Sequence, residues 1–234
     1  MKIKDSVVLV TGANRGLGLE FAKQALALGA AKVYATARDP SKIALVGAVP
    51  LKLDVTNPAE AAAVAEQCRD VTLLINNAGI ARLGGVVGGD LAPLLREQLE
   101  TNLFGMLHVS RAFAGILGKN GGGAILNILS VLSWVNTPNI GGYGITKAAA
   151  WALTNSLRIE LRPQGTQVVS FHAGFIDTDL TRGINTPKAR PEDVVRQSFA
   201  AIEAGQEEVL TDEPARQVKK ALSQGVYLKD ILAG

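Results

Sequence analysis

Apolar residues fall along this chain in two rhythms. Short runs of Val, Ile and Leu alternate with longer stretches in which apolar positions recur every three or four residues. The first rhythm fits strands buried on both faces, the second helices with one apolar side. The runs predict strands at Val7–Thr11, Lys32–Ala37, Leu51–Leu53, Val71–Asn76, Ala124–Ile128, Gln167–Phe171 and Glu208–Leu210. The helical spacing predicts Leu17–Leu28, Ala59–Arg69, Ala92–Leu117 with a break near Gly105 or Gly115, Gly142–Leu161, Pro191–Ala204 and Ala215–Ser223. Pro163 stops one helix and Pro191 suits the first turn of another. Regular strand–helix alternation implies an α/β, doubly wound domain, with one seven-stranded, mostly parallel sheet and helices on both faces.

Composition narrows this picture. The chain has 234 residues, 47% of them hydrophobic, enough for one sizeable core and one domain over residues 1–234. A net charge of +3 without a dense Lys/Arg run argues against a nucleic-acid partner. The single Cys68 excludes a disulfide scaffold. The apolar run near the start is too short for a secretory signal. The longest charge-free stretch, residues 120–146, is broken by six Gly and a Pro and cannot span a bilayer. These features predict a cytoplasmic protein without a membrane partner.

The first predicted strand runs into Thr11-Gly12-Ala13-Asn14-Arg15-Gly16-Leu17-Gly18, where a helix begins. Glycines there permit a tight turn and a close approach of backbone to ligand, and the helix N-terminus offers unpaired N–H groups to a pyrophosphate. The context is that of a Rossmann-type dinucleotide site. The other glycine clusters, 84–90 and 121–123, read as loops, and residues 181–190 as a mobile loop over the site.

The spacing Thr-Gly-x-x-x-Gly-x-Gly resembles that of the short-chain dehydrogenase/reductase family, and further motifs from about residue 5 to 180 agree with it. Asp54-Val55 ends the third strand, Asn76-Asn77-Ala78-Gly79 the fourth, and Asn102 lies on a helix. Ser130 precedes Tyr143-x-x-x-Lys147 by thirteen residues, and Ala173-Gly174-Phe175-Ile176-Asp177-Thr178 resembles the family's Pro-Gly-x-x-x-Thr. The resemblance implies an oxidoreductase using a nicotinamide cofactor. It assigns the cofactor to Gly12, Asn14, Arg15, Gly16, Leu17 and Gly18; to Arg38, Asp54 and Val55; to Asn77, Ala78 and Gly79; and to Tyr143, Lys147, Gly174, Ile176 and Thr178. Residues 1–120 would then bind mainly cofactor, and 121–234 carry catalysis and substrate. Ala173, Ile145 and Leu129 depart from the family's usual residues, and the C-terminal end matches poorly.

An NAD-preferring site would place an acid at the end of the second strand. Here Ala37 stands at that place, followed by Arg38, with Arg15 in the glycine turn. Two guanidinium groups can clamp the extra phosphate of NADP(H). Asp39 as an NAD-type contact is the alternative.

For the chemistry, hydride delivery to a carbonyl leaves its oxygen needing a proton. A tyrosine supplies it best when its pKa is drawn down by a neighbouring ammonium. Tyr143 and Lys147 lie one turn apart on a helix. The resemblance gives Tyr143 the proton transfer, Lys147 the ribose and the pKa of Tyr143, Ser130 the substrate oxygen, with Ser133 as its competitor, and Asn102 a distorted helix with a positioned water. His108 and His172 read as structural, and no metal-ligand spacing appears. Leu132, Trp134, Val135 and Phe175 predict an apolar substrate wall. The expectation is an NADPH-dependent ketone or aldehyde reductase, reversible with secondary alcohols. The alternative is a sensor that holds NADP(H) without turnover. An epimerase or dehydratase would need a longer C-terminal substrate region. The resemblance also implies a homodimer or homotetramer paired through the two long helices. The apolar Val226, Tyr227, Leu228, Ile231 and Leu232 are expected to pack on a neighbour or over the site.

Overall fold

The computed structural model describes residues 1–230. Its strands are β1 Val7–Thr11, β2 Lys32–Ala37, β3 Val49–Lys52, β4 Leu73–Asn76, β5 Ala124–Ile128, β6 Gln167–His172 and β7 Glu208–Leu210. They form one sheet in the order β3-β2-β1-β4-β5-β6-β7. Every neighbouring pair is parallel, so the sheet is wholly rather than mostly so. The helices are α1 Gly16–Ala27, α2 Pro58–Gln67, α3 Leu91–Leu99, α4 Gly105–Lys119, α5 Gly141–Leu161, α6 Pro191–Glu203 and α7 Glu213–Ala221. The winding reverses between β1 and β4, which opens a crevice at the carboxyl ends of those strands.

Side chains alternate across the sheet and make a core on each face. Val8, Val10, Leu73 and Ile75 pack with Phe21 of α1 and Phe199 of α6. Those two rings meet edge to face with centroids 5.6 Å apart. Leu9, Leu74 and Ile125 face the other way, onto Phe113 and Leu117 of α4 and Leu157 and Leu161 of α5. Each such side chain contributes roughly 1.5–3 kcal/mol by leaving water. Cys68 is packed in this second core, and burial pushes its thiol up to about 11.

Several element boundaries differ from the expected ones by one or two residues, β4 starting at Leu73 rather than Val71 among them, and two of the shifts have a visible cause. β3 starts at Val49, not Leu51, and carries Pro50; as an edge strand it spares the missing N–H. The break in the long helix lies at Glu100–Phe104, a π-helical turn just before Gly105, and Gly115 sits inside α4. α7 begins at Glu213 because the Asp212 carboxylate accepts from Ala215 N–H at 2.9 Å. Val226 packs beside Trp134, while Tyr227 and Leu228 are exposed. Ile231 and Leu232 lie outside the described residues. Among the described residues no helix is long and apolar enough to cross a membrane, and no group of three His, Cys, Asp or Glu is placed to hold a metal.

Candidate active site

The turn from β1 to α1 is built by its glycines. Gly12 and Gly16 have φ of +67° and +54°, a region that other residues enter at a cost. A Cβ on Gly18 would lie 2.3 Å from the Gly12 carbonyl oxygen, so the helix packs flush on the turn. Thr11 Oγ1 accepts from the N–H groups of Asn77 and Ala78 at 2.9 and 3.0 Å, and Asn77 Nδ2 donates to Thr11 O at 2.9 Å. The loop after β4 is thereby locked to the turn after β1. Thr11 as a hub had no signature in the sequence beyond its place before Gly12.

A cavity of about 910 Å³ opens over these carboxyl ends. Every residue the motif comparison assigned to the cofactor lines it, from Gly12 and Arg15 through Asp54 and Asn77 to Lys147 and Thr178. Arg15 caps α1 with no side-chain hydrogen bond to its first turn, whose N–H groups are left for a ligand. Arg38 and Ala37 are on the cavity wall. Asp39 is engaged elsewhere: it accepts from Ser41 N–H and Oγ and pairs with Lys42 at 3.5 Å. Arg15 is exposed and rests 3.5 Å from Asp179. The Asp54 carboxylate accepts from Thr56 N–H and Oγ1, fixing the chain at Val55.

Tyr143, Lys147 and Ser130 share one side of this cavity; Ser133 is not on its wall. Ser130 Oγ accepts from Leu132 N–H at 3.1 Å, which leaves its own hydrogen to donate. Lys147 is buried and donates to Ile128 O at 2.7 Å, with its Nζ 5.5 Å from the centre of the Tyr143 ring. Burial lowers Lys147 to about 8 and pushes Tyr143 above its ordinary value. The expected lowering of Tyr143 by a neighbouring ammonium is therefore not what this arrangement produces: desolvation dominates both groups. Asn102 sits in the π-helical turn and is buried. Its Oδ1 accepts from Ile80 N–H at 2.8 Å, and its Nδ2 donates to Ile80 O and to Thr146 Oγ1, both at 2.9 Å. It braces the site from behind the wall.

The apolar side of the cavity is formed by Leu132, Ile140, Phe175, Leu180 and Ile184. Trp134 and Val135, expected on this wall, are not there. After Ser130 the chain makes a 3₁₀ turn, Val131–Ser133, which carries the next two residues away from the cavity and against Ala215 and Val218 of α7. Arg82 and Glu97 also line the cavity, joined by two hydrogen bonds of 2.6 and 3.0 Å. No residue pattern pointed to that pair, since its partners are fifteen positions apart on a loop and a helix.

The family pattern described as short chain dehydrogenase matches residues 6–189. The chain belongs to this family. A crystal structure of a short-chain dehydrogenase from Burkholderia cenocepacia in complex with NADP is 37% identical, covers 99% of both chains and superposes with a TM-score of 0.94. The 3-oxoacyl-[acyl-carrier-protein] reductase FabG of Vibrio cholerae is 32% identical over 200 residues, 79% of each chain. A 3-alpha-(or 20-beta)-hydroxysteroid dehydrogenase of Mycobacterium bovis is 32% identical over 202 residues, covering 82% of this chain and 75% of the relative. This short-chain dehydrogenase is thus an oxidoreductase acting between CH–OH and carbonyl groups, on a Rossmann-type fold that binds a nicotinamide cofactor. The uncapped start of α1 and the glycine turn fit the cofactor's pyrophosphate.

Proposed function

We propose that the protein is an NADPH-dependent reductase of hydrophobic ketones and aldehydes, running in reverse as a secondary-alcohol dehydrogenase. The observation that carries this is one cavity with Ser130, Tyr143 and Lys147 on its wall, Arg15 and Arg38 also on it, and the acid Asp39 turned to its own loop. Arg15 and Arg38 would grip the phosphate on the adenosine ribose. Lys147 would hold the nicotinamide ribose, and Ser130 would donate to the substrate oxygen. Bound NADPH supplies the hydride to the carbonyl carbon. Tyr143 gives its phenolic proton to the oxygen, and its raised pKa keeps it protonated for that direction. The lining by Leu132, Ile140, Phe175 and Leu180 favours an apolar substrate. Relatives named for oxoacyl and hydroxysteroid compounds support the same preference. The reading includes a cytoplasmic homo-oligomer paired through α4 and α5; Ile145 and Ile159, exposed about four turns apart on α5, support it.

The test is NADPH and NADH oxidation with a panel of aryl and alkyl ketones and aldehydes. Tyr143→Phe should lower kcat by about 10²–10⁴-fold, the span of general acid catalysis. Arg38→Asp should invert the cofactor preference, weakening NADPH by roughly 10–100-fold for the loss of a charge-assisted bond. NADPH selectivity unchanged in Arg38→Asp overturns the cofactor assignment. Turnover confined to small polar ketones overturns the substrate class. Cofactor binding with no turnover of any carbonyl would favour the sensor.

A further inference from the structure

His172 ends β6 directly behind Ser130 and takes no part in the chemistry above. It is fully buried, and its Nδ1 lies 3.0 Å from the Ser130 carbonyl oxygen. Its Nε2 has no partner among the described residues, nor does Nε1 of the adjacent Trp134. The two rings are stacked, with centroids 3.8 Å apart and 21° between planes. Trp134 is held in turn by an edge-to-face contact with Trp151 at 6.3 Å, and Lys219 Nζ stands 5.0 Å from its ring centre.

An aliphatic residue would fill this space and leave no orphaned nitrogen. The histidine ring makes one polar contact, and that contact is to Ser130. The remaining bonds at Ser130 are local: Leu132 N–H donates to its Oγ, Ser133 N–H donates to its O at 3.0 Å, and its own N–H donates to Ser133 Oγ at 3.4 Å. They turn with the 130–133 segment rather than anchoring it. That segment is tied to the chain around the end of β6 by Val131 N–H to Ala173 O at 3.0 Å and by His172. The carbonyl can only accept, so Nδ1 carries the hydrogen. Burial lowers His172 to about 3, and the cations Lys219, Lys147 and Arg158 around it act in the same sense. The ring therefore stays neutral through any working pH and does not compete with Tyr143 for the proton.

We propose that His172 is a positioning residue for Ser130: as the Nδ1–H tautomer, clamped against the face of Trp134, it holds the serine's backbone so that the hydroxyl meets the substrate oxygen. This rests on the carbonyl-reductase reading of the same site. Helix α7 enters the arrangement through Ala215 and Val218, which pack on Trp134, so the C-terminal part of the chain supports the catalytic serine from outside the cavity.

The test compares His172→Asn with His172→Leu, side chains of nearly equal size of which only Asn can donate. Both lose the stacked ring equally. His172→Leu should lower kcat by about 10–100-fold with KM for NADPH unchanged, since a misplacement near 1 Å costs that much. His172→Asn should stay within about threefold of the wild type. In a Ser130→Ala background the difference between Asn and Leu should vanish, which a role in general packing would not produce. Equal activity of the two variants, or a gap that survives in Ser130→Ala, overturns the proposal. Nitrogen NMR of His172 in the wild-type protein is independent of turnover and of how the variants fold. A proton on Nε2 instead of Nδ1 overturns the proposal even if carbonyl reduction is confirmed. Should no carbonyl be turned over, the functional reading fails while the tautomer remains measurable.

Discussion

Lys147 and Tyr143 are moved apart by the same burial, and the consequence is visible without substrate. Lys147 titrates near 8 in the folded protein against 10.5 when exposed. Between those values the unfolded chain holds a proton that the native state has released, so stability rises with pH, by about 1.4 kcal/mol per pH unit at most. Below pH 8 the penalty for burying the ammonium is present in full. Tyr143 acts in the opposite sense only above pH 10, where the unfolded phenol ionises first and stability falls. The usable window is therefore pH 8–10. Thermal melts of the ligand-free wild type, referenced to Lys147→Met, should show a Tm difference that shifts in favour of the wild type across it. Parallel curves would mean the amine is hydrated, and the burial argument would be lost.

At the scale of elements, the π-helical turn shows how a single polar side chain reshapes a helix. Asn102 bonds both backbone groups of Ile80 and the Thr146 hydroxyl, joining the loop after β4 to α5 across the interrupted helix. Asn102→Ala would leave the Ile80 N–H and C=O short of partners in a half-buried place. The cost should be about 2–4 kcal/mol, lowering Tm by roughly 4–16 °C in a chain of this size. A Tm within about 1 °C of wild type in calorimetry would show that water replaces the side chain without loss. Much of the scaffold behind this was legible from residue patterns, because a parallel sheet buried on both faces must be written as short apolar runs. β1, β2, β5 and β7 fall where their runs predict. Asn102 was legible by motif and the break near Gly105 was expected, but its π-helical form at 100–104 was not legible, because such a turn answers to partners such as Ile80 that are distant in sequence. Trp134 was misplaced for a similar reason. Apolarity marks a residue for burial but does not say which side of a 3₁₀ turn buries it, and here the answer was the ring of His172 and helix α7.

For the whole molecule, the cavity is shared by both halves of the sequence. Gly12, Arg38, Asp54 and Asn77 come from the first 120 residues, and Ser130, Tyr143, Gly174 and Thr178 from the rest. The sheet does not divide there: β4 and β5 pair from Leu73↔Ala124 to Asn76↔Asn127, and the cores on both faces of the sheet contain residues from both sides. A ligand bound in that cavity touches both halves and must stabilise them together. Unfolding should accordingly be one cooperative transition, with or without cofactor. NADPH at about 100 times its Kd adds roughly 2.7 kcal/mol, and for a chain of this length that raises Tm by about 5–11 °C. Arg38→Asp should shrink the NADPH shift and spare that from NADH. Calorimetry decides between the alternatives. Were the half carrying the glycine turn an independent unit, NADPH would move one of two transitions and leave the other in place. That outcome would contradict the continuous β4–β5 pairing on which the shared cavity depends.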